Sequence, residues 1–162
     1  MTKKPLQLAL AGVFAALVFL ATYILQIPAG TGYLNAGDGV ILLAAVWLGY
    51  PAAIPAALGS ALADIAGGDA IFAPATALIK AAMALLAVFI IRITKNKLPG
   101  RILAFCLAEA VMITGYFLYE TIIYGFAGAP ANIGPNALQA AAGIALGTAL
   151  STMPKPTGNI NI

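Results

Sequence analysis

Residues Leu48-Gly49-Tyr50-Pro51-Ala52-Ala53-Ile54-Pro55 interrupt an apolar block that otherwise runs from Gly39 to Ala63. Proline suits the first turn of a helix and breaks a helix interior, so Pro51 opens a new helix after a tight turn at Gly49 and Tyr50. The block is therefore read as two short segments and not as one long one. That choice sets how many times the chain crosses from one side of its surroundings to the other, and the composition says what those surroundings are.

Of 162 residues, 62% are hydrophobic and 8% charged, with a mean hydropathy of +1.00. A soluble domain carries about 25% charged residues. The chain is therefore an integral membrane protein. At about 20 residues per spanning helix its length allows five or six spans in one membrane domain, 1–162, with no room for a soluble catalytic or ATP-hydrolysing module. The net charge of +3 is too small and too scattered to suggest nucleic acid as a partner. There is no histidine, which removes the commonest general base and metal ligand together, and no Gly-Lys dipeptide, which removes a phosphate-binding P-loop. No catalytic residue, cofactor or metal is expected. Cys106 is the single cysteine and reads as a small hydrophobe within an apolar run.

The predicted spans are 6–27, 38–49, 51–66, 71–93, 102–126 and 134–152. The first follows the basic Lys3 and Lys4, as in a secretory signal peptide, but its apolar run of about 22 residues exceeds the usual 7–15-residue core of such a signal. With six spans, the amino terminus, the stretch holding Arg92, Lys95, Lys97 and Arg101, and the tail with Lys155 all fall on one side, as the positive-inside rule requires. Five spans would place the later basic residues opposite Lys3 and Lys4. The expectation is an all-α bundle of six transmembrane helices, multi-pass, with both termini cytoplasmic.

On this count Gly32-Tyr33-Leu34-Asn35-Ala36-Gly37-Asp38 is an outer stretch, polar in a chain that otherwise avoids polar side chains. Ionisable groups near lipid are costly and mark functional sites. At 1.5 Å per helical residue, Lys80 comes out about 13 Å below the outer end of its span, and Glu120 and Tyr116 about 9 and 15 Å. Glu120 is the expected ion-pair partner of Lys80, with a helix-locking role as the alternative. Tyr116 and Glu120 share one helix face, and Glu109 continues that stripe. Asn136 and Gln139 open the last span at the same level. The candidate ligand shell is Asn35, Asp38, Lys80, Tyr116, Glu120, Asn136 and Gln139, with Asp64, Asp69, Tyr33, Tyr119 and Tyr124 nearby. Amides, carboxylates, one cation and aromatic faces suit a small, planar, polar molecule. Small residues form a second pattern, Ala11 with Ala15, Gly12 with Ala16, and Gly143 with Gly147, at the spacing that lets helix backbones approach closely.

The runs Tyr33-Leu-Asn-Ala-Gly-Asp-Gly39, Gly59-Ser-Ala-Leu-Ala-Asp64 and Ala73-Pro-Ala-Thr-Ala-Leu-Ile-Lys80, in this order, resemble the S components of energy-coupling factor (ECF) vitamin transporters, most closely the riboflavin-type family. The resemblance implies a six-helix subunit in a prokaryotic plasma membrane that takes a water-soluble vitamin or precursor from outside. Hydroxymethylpyrimidine or another thiamine precursor, pyridoxine and riboflavin are the candidate ligands. It also implies docking on a transmembrane coupling (T) subunit driven by two separate ATPase subunits, with Ala11 and Ala15 facing the coupling subunit. Two other readings remain. One is a vitamin carrier that works without ATPases. The other, remote, is an intramembrane aspartyl protease, because Ala36-Gly37-Asp38 nearly matches a Gly-x-Gly-Asp motif and Asp64 could supply a second carboxylate.

Overall fold

The structure, a computed structural model, describes residues 3–29 and 32–155. Gly30, one of the glycines of the outer polar stretch, lies outside the described residues. Six helices make up nearly all of the rest: α1 (Lys3–Tyr23), α2 (Gly37–Leu48), α3 (Ala53–Gly67), α4 (Ala73–Ile93), α5 (Leu98–Gly128) and α6 (Ile133–Ser151). A short antiparallel hairpin, β1 (Ile27–Ala29) and β2 (Gly32–Leu34), joins α1 to α2. The first helix is shorter than the sequence predicts. Residues 6–27 were expected to form one helix, but α1 ends at Tyr23 and Ile27 pairs with Leu34 across the hairpin. Apolar character alone does not separate helix from strand, and Pro28 suits an extended segment better than a helix interior.

The break at Gly49-Tyr50-Pro51 is a single 3-10 turn over Tyr50–Ala52, with Gly49 at φ 68°, a backbone conformation that favours glycine. α3 ends at Gly68, again left-handed with φ 94°. Pro99 falls in the first turn of α5, so this helix begins before the predicted 102 and takes in Arg101, whose guanidinium bonds Asn96 Oδ1 at 2.7 Å and Ser151 O at 2.5 Å. Near its far end α5 kinks at Gly125, and a 3-10 turn over Ala129–Asn132 leads into α6.

The helices close into a ring: α1 packs on α3, α3 on α4, α4 on α5, α5 on α6, α6 on α2 and α2 back on α1, with α2 also crossing to α4. α2 is the most enclosed, with apolar residues buried almost all round it. Glycines allow the closest approaches. A Cβ on Gly59 would lie 2.6 Å from the Ala15 carbonyl oxygen of α1, and one on Gly147 would lie 2.9 Å from Leu42 Cβ of α2. Gly143 and Gly147 thus pack within the chain. Ala11 is buried and the Ala15 carbonyl abuts Gly59 of α3, whereas Gly12 and Ala16, one position further on, are exposed.

The outside of the bundle is apolar and its inside is not. Ile122 is 81% exposed and Leu8 77%, while Asp38, Asp64, Lys80, Glu109 and Glu120 are buried. Water would not tolerate that distribution, but hydrocarbon does, since the lipid-facing surface needs apolar side chains and the charges can pair inside. Three stretches, Pro5–Tyr23, Ala73–Ile93 and Leu98–Ser151, are long and apolar enough to cross a membrane, the last containing both α5 and α6. Cys106 is exposed on α5 rather than packed inside the bundle.

Candidate ligand-binding site

The buried polar groups gather between the helices on the hairpin side. Lys80 of α4 donates through Nζ to Oδ1 of Asp38, in the first turn of α2, and the two form a salt bridge with both side chains almost fully enclosed. Oδ2 of Asp38 accepts from Gln139 Nε2 of α6 at 2.6 Å. Oε1 of Gln139 in turn accepts from the backbone N and from Nδ2 of Asn35, both at 3.1 Å. A continuous polar chain thus ties α4, α2, α6 and the end of the hairpin together. Asn35 Oδ1 also accepts from Gly37 N at 2.9 Å, which starts α2 from a side-chain turn.

These bonds correct the pairing expected from the sequence. Glu120 does not take Lys80; its Oε1 accepts from Asn132 Nδ2 at 2.9 Å. Rise per residue gives depth in a helix but not direction around it. Asp38 was placed in an outer stretch, yet α2 begins at Gly37, which turns Asp38 into the bundle, where it is 0% exposed. The protease reading loses its footing for the same reason. Both Asp38 oxygens are taken by Lys80 and Gln139, and Asp64 accepts from Tyr33, so the two do not share a proton.

Beside this chain lies a cavity of about 620 Å³, its open mouth included. Asn35, Lys80, Tyr116, Glu120, Asn136 and Gln139 line it, and of the seven residues singled out only Asp38 stands behind the wall. Lys80 Nζ sits 5.4 Å from the centre of the Tyr116 ring, and the Tyr116 hydroxyl is 3.0 Å from Thr76 Oγ1. Phe72 adds an apolar wall, braced edge-on by Tyr119 at 5.6 Å and by the tilted ring of Tyr124 at 6.3 Å. Tyr119 and Tyr124 therefore support the cavity without lining it.

The hairpin covers one side. Ala29, Tyr33 and Asn35 face the cavity, and the Tyr33 hydroxyl donates to Asp64 Oδ1 at 2.6 Å. Burial, with the neighbouring Asp64 carboxylate, pushes the Tyr33 phenol above its ordinary range, so it stays a donor.

Thr22, Ser60 and Thr76 also line the cavity and were not singled out beforehand. Small hydroxyls in apolar helices carry little signal, except that Thr76 stands four residues before Lys80 and so shares its face. Around the cavity, Thr22 Oγ1, Ser60 Oγ, Asp64 Oδ2 and Glu120 Oε2 are buried without a hydrogen-bond partner among the described residues. Unsatisfied polar atoms concentrated at one cavity mark a place where a ligand completes the bonding. No cluster of three or more metal-ligating side chains occurs among the described residues.

Residues 3–155 match the family model described as ECF-type riboflavin transporter, S component. The chain belongs to this family. A protein of Pyrococcus woesei described as "Uncharacterized protein in gap 3'region" is 36% identical over 133 residues, covering 81% of this chain and 88% of that protein. Membership makes the chain a vitamin-binding subunit of a membrane transport system and not an enzyme.

Proposed function

We propose that this S component captures one water-soluble vitamin or vitamin precursor from the outer side of the plasma membrane, as the substrate-specific subunit of an ATP-driven importer. The observation that carries this reading is the cavity between α1, α3, α4, α5 and α6. Its wall combines amides, carboxylates and Lys80 with the Tyr116 and Phe72 rings, and it holds several polar atoms without partners. Asn35, Lys80, Tyr116, Glu120, Asn136 and Gln139 form the ligand shell, and Asp38 holds Lys80 and Gln139 in place from behind. Aromatic faces stack a planar heterocycle, and the amides and charges fix its orientation.

In this reading all six helices cross the bilayer with both termini cytoplasmic, α2 and α3 being short spans enclosed by the others. The hairpin is the lid. Tyr33 and Asn35 latch it to Asp64 and Gln139, so entry requires those bonds to open and exit to the cytoplasm requires another route. A transmembrane coupling subunit and two ATPase subunits supply that route, the exposed Gly12 and Ala16 face of α1 being available for docking. Hydroxymethylpyrimidine, pyridoxine and riboflavin are the ligands to test first. Calorimetry of the purified, folded chain against a vitamin panel is expected to show one tight binder; a panel without any binder overturns the proposal.

A further inference from the structure

At the opposite end of the bundle, the C-terminal ends of α2 and α4 frame a second cleft of about 590 Å³, mouth included. Its floor is apolar, formed by Val46, Trp47 and Val88, and its rim carries Arg92, Lys95 and Lys155. None of the chain's five acidic residues lines it, and none of the three cations makes a salt bridge among the described residues. Charges of one sign have been brought together here without a counter-charge among the described residues.

Three features show that the arrangement is built. The guanidinium of Arg92 lies 4.4 Å from the centre of the Tyr50 ring, and the left-handed Gly49 makes the turn that carries this ring into place. Stacking holds the guanidinium flat while leaving its N–H donors free for an anion. Lys155 is half-buried, and burial pushes its ammonium below the ordinary lysine range, since no anion offsets the lost hydration. Lys95 and Asn96 both hold positive φ, 55° and 56°, in the turn that closes the rim beside α4.

We propose that this cleft is a specific site for an anionic phospholipid of the inner leaflet, the headgroup phosphate held by Arg92, Lys95 and Lys155 and the start of the acyl chains lying against Trp47 and Val88. The inference rests on the membrane reading above, which puts this end of the helices at the cytoplasmic headgroups. Basic pockets between helices on that side attract anionic lipids, whose surface potential adds to the direct contacts. A free phosphate would use the rim but leave the apolar floor unmatched.

The test uses the full chain purified into nanodiscs of phosphatidylcholine alone or mixed with phosphatidylglycerol, then released for native mass spectrometry. One phosphatidylglycerol retained per chain in preference to phosphatidylcholine is the expected result. Arg92→Gln, Lys95→Gln and Lys155→Gln together are expected to weaken retention on the order of 100-fold. Lys3→Gln, Lys4→Gln and Lys97→Gln together remove the same charge from residues not assigned to the headgroup and are expected to leave retention within about threefold of wild type, by the short reach of screened charges. Equal loss in both triple variants would reduce the effect to bulk attraction and overturn the site. So would displacement of the lipid by millimolar inorganic phosphate, or the absence of any retained phosphatidylglycerol in wild type. Vitamin binding by calorimetry is measured on the same samples, so failure of the lipid site is distinguishable from failure of the transport reading.

Discussion

Lys80 and Asp38, separated by 42 residues in sequence, form a buried ion pair that joins α4 to α2 at the foot of the cavity. The carboxylate is held on its other side by Gln139, so neither charge faces hydrocarbon alone. Breaking such a pair from one side leaves an uncompensated buried charge and costs about 3–5 kcal/mol, whereas removing both partners costs much less. Asp38→Leu and Lys80→Met are each expected to lower thermal stability in detergent sharply, and the double substitution to recover most of the loss. A double variant as unstable as the sum of the singles would show that the two do not act as a pair.

Asn136 and Gln139 lie one turn apart on α6 and both line the cavity, but their duties differ. Gln139 links Asp38 to Asn35, while Asn136 makes no side-chain hydrogen bond among the described residues. Asn136→Ala is therefore expected to weaken vitamin binding by about 5–30-fold, one to two hydrogen bonds' worth, with the unfolding temperature unchanged. Gln139→Ala is expected to lose both affinity and stability. Calorimetry paired with thermal unfolding separates the two; a loss of stability in Asn136→Ala would make that residue structural.

Much of this architecture was legible in the sequence because lipid imposes simple rules. Pro51 marked the break between α2 and α3, and the basic residues marked one end of the bundle. Residue type and depth were enough to gather Asn35, Lys80, Tyr116, Glu120, Asn136 and Gln139 at one level. What was not legible depended on direction around a helix. Lys80 had two acidic neighbours of suitable depth, and only the start of α2 at Gly37 turns Asp38 toward it. The same ambiguity separates Ala11 and Ala15, buried and half-buried, from the exposed Gly12 and Ala16 beside them. The hydroxyl of Thr22 gave no signal because a small polar side chain in an apolar helix is ordinary packing in most places, and Ser60 stood out only as part of the run Gly59-Ser-Ala-Leu-Ala-Asp64.

Gly143 of α6 is where Glu109 of α5 fits. A Cβ at Gly143 would stand 2.5 Å from Glu109 Oε1 and 3.1 Å from Asp38 Cβ, closer than packing tolerates. Both Glu109 oxygens are buried without hydrogen bonds among the described residues, with the Lys80 and Asp38 charges close enough to act on the carboxyl. Gly143→Ala is expected to cost about 1–3 kcal/mol through overpacking. Glu109→Ala removes the obstructing group, so the double variant is expected to lie well above the sum of the singles in a thermal-unfolding cycle. Simple additivity would place the strain of Gly143→Ala elsewhere.

The hairpin latch gives a dependence on pH. Tyr33 donates to Asp64, and its phenol is raised above the ordinary tyrosine value of 10.0, first by burial and then by the carboxylate it bonds. A group bound more tightly to its proton in the closed form stabilises that form fully below its free value and loses the contribution as pH climbs past it. The latch is therefore expected to hold through neutral pH and to weaken only above pH 10.0. Tyr33→Phe removes the donor and opens the latch at every pH, which speeds vitamin dissociation. It also leaves Asp64 with one fewer donor, so Asp64→Asn serves as the companion variant that keeps the hairpin near its partner. Stopped-flow dissociation measured from pH 7 to 11 is expected to show a rate that rises in wild type above pH 10.0 and is already high and flat in Tyr33→Phe. The same dissociation rate in wild type and Tyr33→Phe at neutral pH would mean that the hairpin does not gate the cavity.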